Sequence, residues 1–159
     1  MKILYFDTHS LFYSQRYLNS NAKLSLAYDE WKAKPSVSLL KSIKPDYVGI
    51  ESLKRTAIEA GFRLYPLGTQ YSRSVLIEYG LFTEEELAHD VTLSIRMGDN
   101  DPIRRMIAHA SKLNAKWYIC GDYGPIELVD AYKDRCFSSS FGKGVTAELL
   151  SQIRALAGL

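Results

Sequence analysis

The run KILYFDTHSLF at residues 2–12 constrains the fold more than any other stretch of the chain. Ile3, Leu4, Tyr5 and Phe6 are apolar at consecutive positions, so a strand here needs cover on both faces. Strands of that kind belong to parallel sheets flanked by helices. The run stops at Asp7 and continues through turn-type residues, and the carboxyl tip of a strand is where open parallel sheets place their chemistry. The expectation is an α/β fold: a three-layer sandwich around a Rossmann-like central parallel sheet, with the first strand interior.

Further strands are expected at residues 62–67, 116–120 and 135–138, with a weaker one at 91–95. Helical spacing separates them, and strands alternating with helices imply parallel pairing. Ile50, Leu53, Ala57 and Ile58 recur at helical intervals before Gly61. Thr83 with Glu86 three residues on reads as a capping box, so a short helix is expected to start there. Pro102, at a helical first turn, precedes Ile103, Met106, Ile107 and Ala110, and residues 146–156 form the last helix. Residues 8–44 show the least regular pattern. A long excursion straight after the first strand usually holds a lid or specificity element.

At 159 residues, 47% of them hydrophobic, the chain fits one domain (1–159) with a sizeable core. Lys and Arg exceed Asp and Glu by 20 to 18, which gives no strong case for a nucleic-acid or membrane surface. No apolar stretch approaches the roughly 20 residues that span a bilayer, so no membrane partner is expected. Cys120 and Cys136 read as reduced thiols, and with no leader ahead of Asp7 the expected location is cytoplasmic. The oligomeric state leaves no mark in the sequence.

In a parallel sheet the carboxyl ends share one edge, so Asp7, Thr69 and Asp122 are expected to meet in one crevice, with Arg96 or Arg104 nearby. Two aspartates, a hydroxyl and a cation suit phosphoryl transfer. Carboxylates hold Mg²⁺ through hard oxygens, the hydroxyl and cation neutralise phosphoryl oxygens, and one carboxylate serves as nucleophile. Arg96 is the better phosphate partner, since Arg104 and Arg105 read as a solvated helix face. His89 and His109 read as surface or boundary residues, and Trp117, Tyr118 and Phe137 as core.

With FDTHSLF, LYPLGT and GDYGPIE in order, and RCFSSSFGKGVTAELL after them, the chain resembles the haloacid dehalogenase-like (HAD) hydrolases. The likeness is to the small capless domains associated with RNA-repair proteins and phages, and it spans most of the chain outside residues 8–41. It implies a phosphatase acting through an aspartyl-phosphate on Asp7, on a phosphorylated small molecule or a nucleic-acid end. Mg²⁺ would lie on Asp7, Asp122, Glu127 and the backbone carbonyl of His9. Thr69 and Arg96 would serve the second and third motifs, although Gln70 and Tyr71 follow Thr69 where the family has a Ser-Trp-Arg run, leaving Arg73 as the nearest cation. His9 stands where the family has its second aspartate, the proton donor to the leaving group. An imidazole with an ordinary pKa near ~6.5 is chemically suited to that duty.

Two rivals remain. In a PIN-like nuclease, Asp7, Glu51, Asp101 and Asp122 would gather metal for RNA cleavage. Alternatively, loss of the second aspartate leaves a non-catalytic binding protein on a hydrolase scaffold. Thr69 facing Asp7 favours the hydrolase; Glu51 and Asp101 facing Asp7 favour the nuclease.

Overall fold

A computed structural model describes residues 1–35, 38–94, 101–124, 128–140 and 142–157. Four strands, β1 (Lys2–Asp7), β2 (Phe62–Leu67), β3 (Lys116–Gly121) and β4 (Cys136–Ser138), form one all-parallel sheet in the order β2-β1-β3-β4. In register, Lys2 lies opposite Phe62 and Lys116, and Phe6 opposite Pro66 and Cys120, so β1 is interior as expected. Its alternate residues enter different cores. Leu4 and Phe6 join one, whereas Ile3 and Tyr5 join the other. All four are essentially inaccessible, and each buried large apolar side chain contributes roughly 1.5–3 kcal/mol. This is the physical content of the unbroken apolar run.

Helices cover both faces. The Leu4 side is packed by α1 (Thr8–Phe12), α5 (Tyr47–Glu59) and α9 (Ala147–Arg154), which bury Leu11 and Phe12, Ile50, Leu53 and Ala57, and Leu149 and Ile153 respectively. The Tyr5 side is packed by α7 (Pro102–Lys112) through Met106 and Ala110. Each helix has its cap. Asp46, Asp101 and Thr146 accept from Gly49, Ile103 and Leu149 N–H groups at the first turns of α5, α7 and α9.

The excursion after β1 consists of short helices: α1, α2 (Gln15–Asn19), α3 (Ala22–Ala33) and α4 (Leu39–Ser42), with Ser14 and Asn21 capping α2 and α3. Beyond β2 come α6 (Arg73–Glu78), capped by Ser72, and, after β3, α8 (Leu128–Ala131) and a 3₁₀ turn at Lys133–Arg135 that takes the first residue of the expected fourth strand.

Two expectations need correction. No helix starts at Thr83. The Glu86 carboxylate does accept from the Thr83 N–H at 2.7 Å, but the chain makes one turn and then pairs with β2: Leu87 forms a parallel bridge to Leu64, with Leu64 N–H donating to the Glu86 carbonyl and Ala88 N–H to that of Leu64. This bridge is a rudimentary further strand on the β2 edge, and counting it gives the chain order 3-2-1-4-5 of doubly wound sheets. Residues 91–94 form no strand, and Ile95, the last of that expected segment, lies outside the described residues. Among the described residues no helix is long and apolar enough to cross a membrane. Both cysteines are free thiols; burial raises the pKa of Cys120 far above its usual value.

Candidate active site at the carboxyl edge of the sheet

The order of the sheet puts its switch point between β1 and β3, because the chain leaves β1 toward β2 and later crosses to β3 on the other side. The tips facing that crevice are Asp7 and Gly121. Asp7 is half-buried, and its Oδ2 accepts from Ser10 N–H at 3.1 Å, capping α1. Ser10 in turn uses its hydroxyl oxygen to accept from the backbone N–H of Asp122 at 3.0 Å. One buried serine therefore ties the loops that bear the two aspartates. The approach is close because position 121 has no side chain: a Cβ there would lie 2.9 Å from Asp7 Cβ. The Asp122 side chain is exposed.

His9 follows on α1, half-buried beside Asp7. Its Nε2 lies 2.9 Å from the Tyr28 hydroxyl of α3, and its ring leans on Tyr13 and Tyr28. Burial lowers the imidazole pKa below its ordinary value; the Asp7 charge opposes this and the Lys32 charge adds to it. The His9 carbonyl, expected as a metal ligand, accepts the α-helical bond from Tyr13 N–H at 3.0 Å. Of its two lone pairs one is thus engaged within α1.

Thr69 stands two residues beyond Leu67, whose Cα is the register partner of Asp7. It is exposed at the same edge, one strand from Asp7, and makes no hydrogen bond to it. It lines a cleft with Gly68, Tyr71, Arg73 and Arg105. Arg73, the cation nearest in sequence, lines this cleft and gives two of its five N–H donors to the carbonyls of Ala88 and Glu84 at 2.9 and 3.0 Å. Arg105 shares the cleft wall with Thr69. Read from the sequence as a solvated helix face, it is a second cation that the fold brings to this tip; the signal was its place one turn into a helix that begins at the carboxyl edge. Arg96 and Glu127, expected as phosphate partner and metal ligand, lie outside the described residues.

In the sequence Tyr71 marks only a departure from the family's Ser-Trp-Arg run. Its side chain is 4% exposed, its ring stacks on Phe12, and its hydroxyl has no hydrogen-bond partner among the described residues. Burial, with the neighbouring Tyr28, pushes its pKa up to about 12. A buried hydroxyl left unpaired costs on the order of 1–3 kcal/mol.

The acids of the nuclease pattern do not gather. Glu51 is an exposed residue of α5 paired with Lys54 at 2.7 Å, while Asp101 caps α7 and pairs with Arg104 at 3.2 Å. No group of three or more His, Cys, Asp or Glu side chains positioned for a metal exists among the described residues. His109, expected at the surface or boundary, is buried: its Nδ1 lies 2.7 Å from the Tyr5 hydroxyl and its Nε2 2.8 Å from the His89 carbonyl. It follows Met106 by three residues on the inner stripe of α7, which is why it is covered.

The fold is that of an α/β protein of Rossmann-like order, with Asp7 ending β1 and Asp122 following the adjacent β3 at its switch point, the two tied through Ser10. Compared with protein-family models, curated proteins and solved structures, the chain matches none.

Proposed function

We propose that this protein is a magnesium-dependent phosphomonoester hydrolase of the haloacid dehalogenase-like type, with Asp7 as nucleophile. The observation that carries the reading is the pairing of Asp7 and Asp122 through Ser10 at the switch point of the sheet. The donor set suits Mg²⁺, which takes one or two carboxylates and completes its octahedron with water and substrate oxygens. Asp7 Oδ1 and the Asp122 carboxylate would hold it, leaving Asp7 Oδ2 on the α1 cap. When bound, the ion neutralises charge on the phosphoryl oxygens.

In the first half-reaction an Asp7 oxygen attacks phosphorus, and the bond to the leaving oxygen breaks as that oxygen takes a proton from the His9 imidazolium. In the second, neutral His9 removes a proton from the water that attacks the aspartyl-phosphate, releasing phosphate and restoring Asp7. Arg105 and the Thr69 hydroxyl serve the phosphoryl oxygens from the β2 side. Because burial lowers the His9 pKa, the donor form is scarce at neutral pH, so the rate falls as pH rises through a value below ~6.5.

The test is turnover of an alkyl and an aryl phosphate with Mg²⁺. His9→Ala should slow the alkyl ester by roughly a hundredfold or more and the aryl ester far less. Equal rates on the alkyl ester would remove His9 from the chemistry. A second reading, a binding protein on a hydrolase scaffold, is favoured by the packing of His9 against Tyr13 and Tyr28. Absence of both turnover and millimolar Mg²⁺ affinity by calorimetry would select it.

A further inference from the structure

On the α7 side of the sheet a cleft opens between the end of β2, the segment after Ala88 and the first turns of α7. Its floor is aromatic. Tyr65 stacks on His109 with ring centroids 3.9 Å apart, and Tyr5 meets both edge-on. The polar atoms of that floor are already matched to one another. The His89 carbonyl only accepts, so His109 Nε2 bears the proton; Nδ1 then accepts from the Tyr5 hydroxyl. The Tyr65 hydroxyl donates to the Asp90 carboxylate. A closed circuit of this kind presents ring faces and edges to a ligand, with no unmet donor or acceptor.

Val91, Leu93, Pro102 and Met106 supply the apolar part of the remaining lining. One side chain there carries a charge. Arg105 is half-exposed on the wall, near enough to Tyr65 for its charge to act on that phenol, and has no side-chain hydrogen bond or ion pair among the described residues.

We propose that this cleft, about 80 Å³ and open at its mouth, binds the single ring of a small aromatic anion, a carboxylate or an aryl phosphate, with the ring against Tyr65 and Leu93 and the anionic group on the Arg105 guanidinium. Rings favour an aromatic floor through offset or edge contacts. Guanidinium holds carboxylate and phosphate alike by paired N–H bonds, so the anion's identity is left to the ligand. The cleft shares Arg105 with the proposed phosphoryl site, but its ring contacts stand apart from Asp7, so shifts of the His109 and Tyr65 rings report this site and turnover reports the other.

The test is an NMR titration of the intact protein with benzoate, phenyl phosphate, toluene and inorganic phosphate, following the ring protons of His109 and Tyr65. The two aryl anions should saturate and shift both rings, with the neutral hydrocarbon and inorganic phosphate at least about tenfold weaker. Arg105→Gln should weaken the anions about tenfold and leave the hydrocarbon unchanged; Arg105→Lys should restore part of the loss. An Arg105→Gln spectrum retaining the wild-type His109–Tyr65 ring shifts confirms that the floor is intact. Shifts confined to other residues, equal anion affinity in Arg105→Gln, or no saturation by millimolar benzoate would each overturn the proposal. A tighter phenyl phosphate identifies a phosphorylated ligand, and a tighter benzoate a carboxylic acid; either result supports the cleft as an anion site.

Discussion

Replacing Gly121 by Ala should damage this protein more than its single added methyl suggests. Gly121 has φ +106°, a backbone conformation that L side chains rarely adopt. Its Cβ would also lie 2.9 Å from Asp7 Cβ, 3.2 Å from Ser10 Oγ and 3.3 Å from the Asp7 nitrogen. The backbone term costs about 1–2 kcal/mol and overpacking about 1–3 kcal/mol, together roughly 2–5 kcal/mol. Gly124 separates the two terms: it too has positive φ, +73°, but nothing among the described residues lies within 4 Å of its Cβ position. Gly124→Ala should therefore lose only the backbone term, about 1–2 kcal/mol. Urea unfolding of both variants measures the difference. Ser10→Ala in the Gly121→Ala background should recover little, because two of the three close contacts are to Asp7. Equal losses at 121 and 124, or a Gly121→Ala loss below about 1 kcal/mol, would refute the close approach on which the site geometry rests.

Lys54→Met should destabilise by about 1–3 kcal/mol in urea: Lys54 Nζ, on a buried residue, donates to the Leu81 carbonyl at 2.9 Å and pairs with Glu51 and Glu86 at 2.7 and 3.4 Å. Acidification from pH 7 to pH 5 should lower the urea midpoint. His9 and His109 both have folded pKa values depressed chiefly by burial, so below ~6.5 the unfolded chain takes up protons first and stability falls as pH drops through the folded values. A midpoint flat across that window, or imidazoles that titrate above 6.5 by NMR, would contradict it.

How much of this was legible depends on which force decides each segment. β1 could be read because both cores act on it, and a doubly buried strand has no room for polar residues. The start of α7 could be read because proline at a helical first turn is a local signal. Thr83 shows the limit. Its reciprocal contact with Glu86 forms as a capping box requires, yet the pairing of Leu87 with Leu64, distant in sequence, converts the segment into a sheet edge. The excursion after β1 resisted for another reason: α3 packs on the core only through the partly buried Leu24, Ala27, Tyr28 and Trp31, and the exposed Leu26 blurs that stripe. At the site, Asp7 and Asp122 followed from strand ends alone. The grouping of Arg105 with Thr69 did not, because it depends on how α7 meets the tip of β2.

Asp7 caps α1 and, in the proposed function, has a second duty that substitutions can separate. As the cap it needs one oxygen that accepts from Ser10 N–H; as the proposed nucleophile and metal ligand it would need a negative charge. Asparagine keeps the accepting oxygen, and Asn and Asp are equivalent N-caps. Asp7→Asn should therefore unfold within about 0.5 kcal/mol of the wild type, whereas Asp7→Ala should lose about 0.5–2 kcal/mol. Phosphoryl transfer should vanish in both, because an amide neither attacks phosphorus nor offers Mg²⁺ an anionic ligand. The signature of a chemical role is thus a split in stability without a split in activity. An Asn variant that still turns over a phosphomonoester, or still binds Mg²⁺ as the wild type does, would mean that the carboxylate at the switch point only starts a helix.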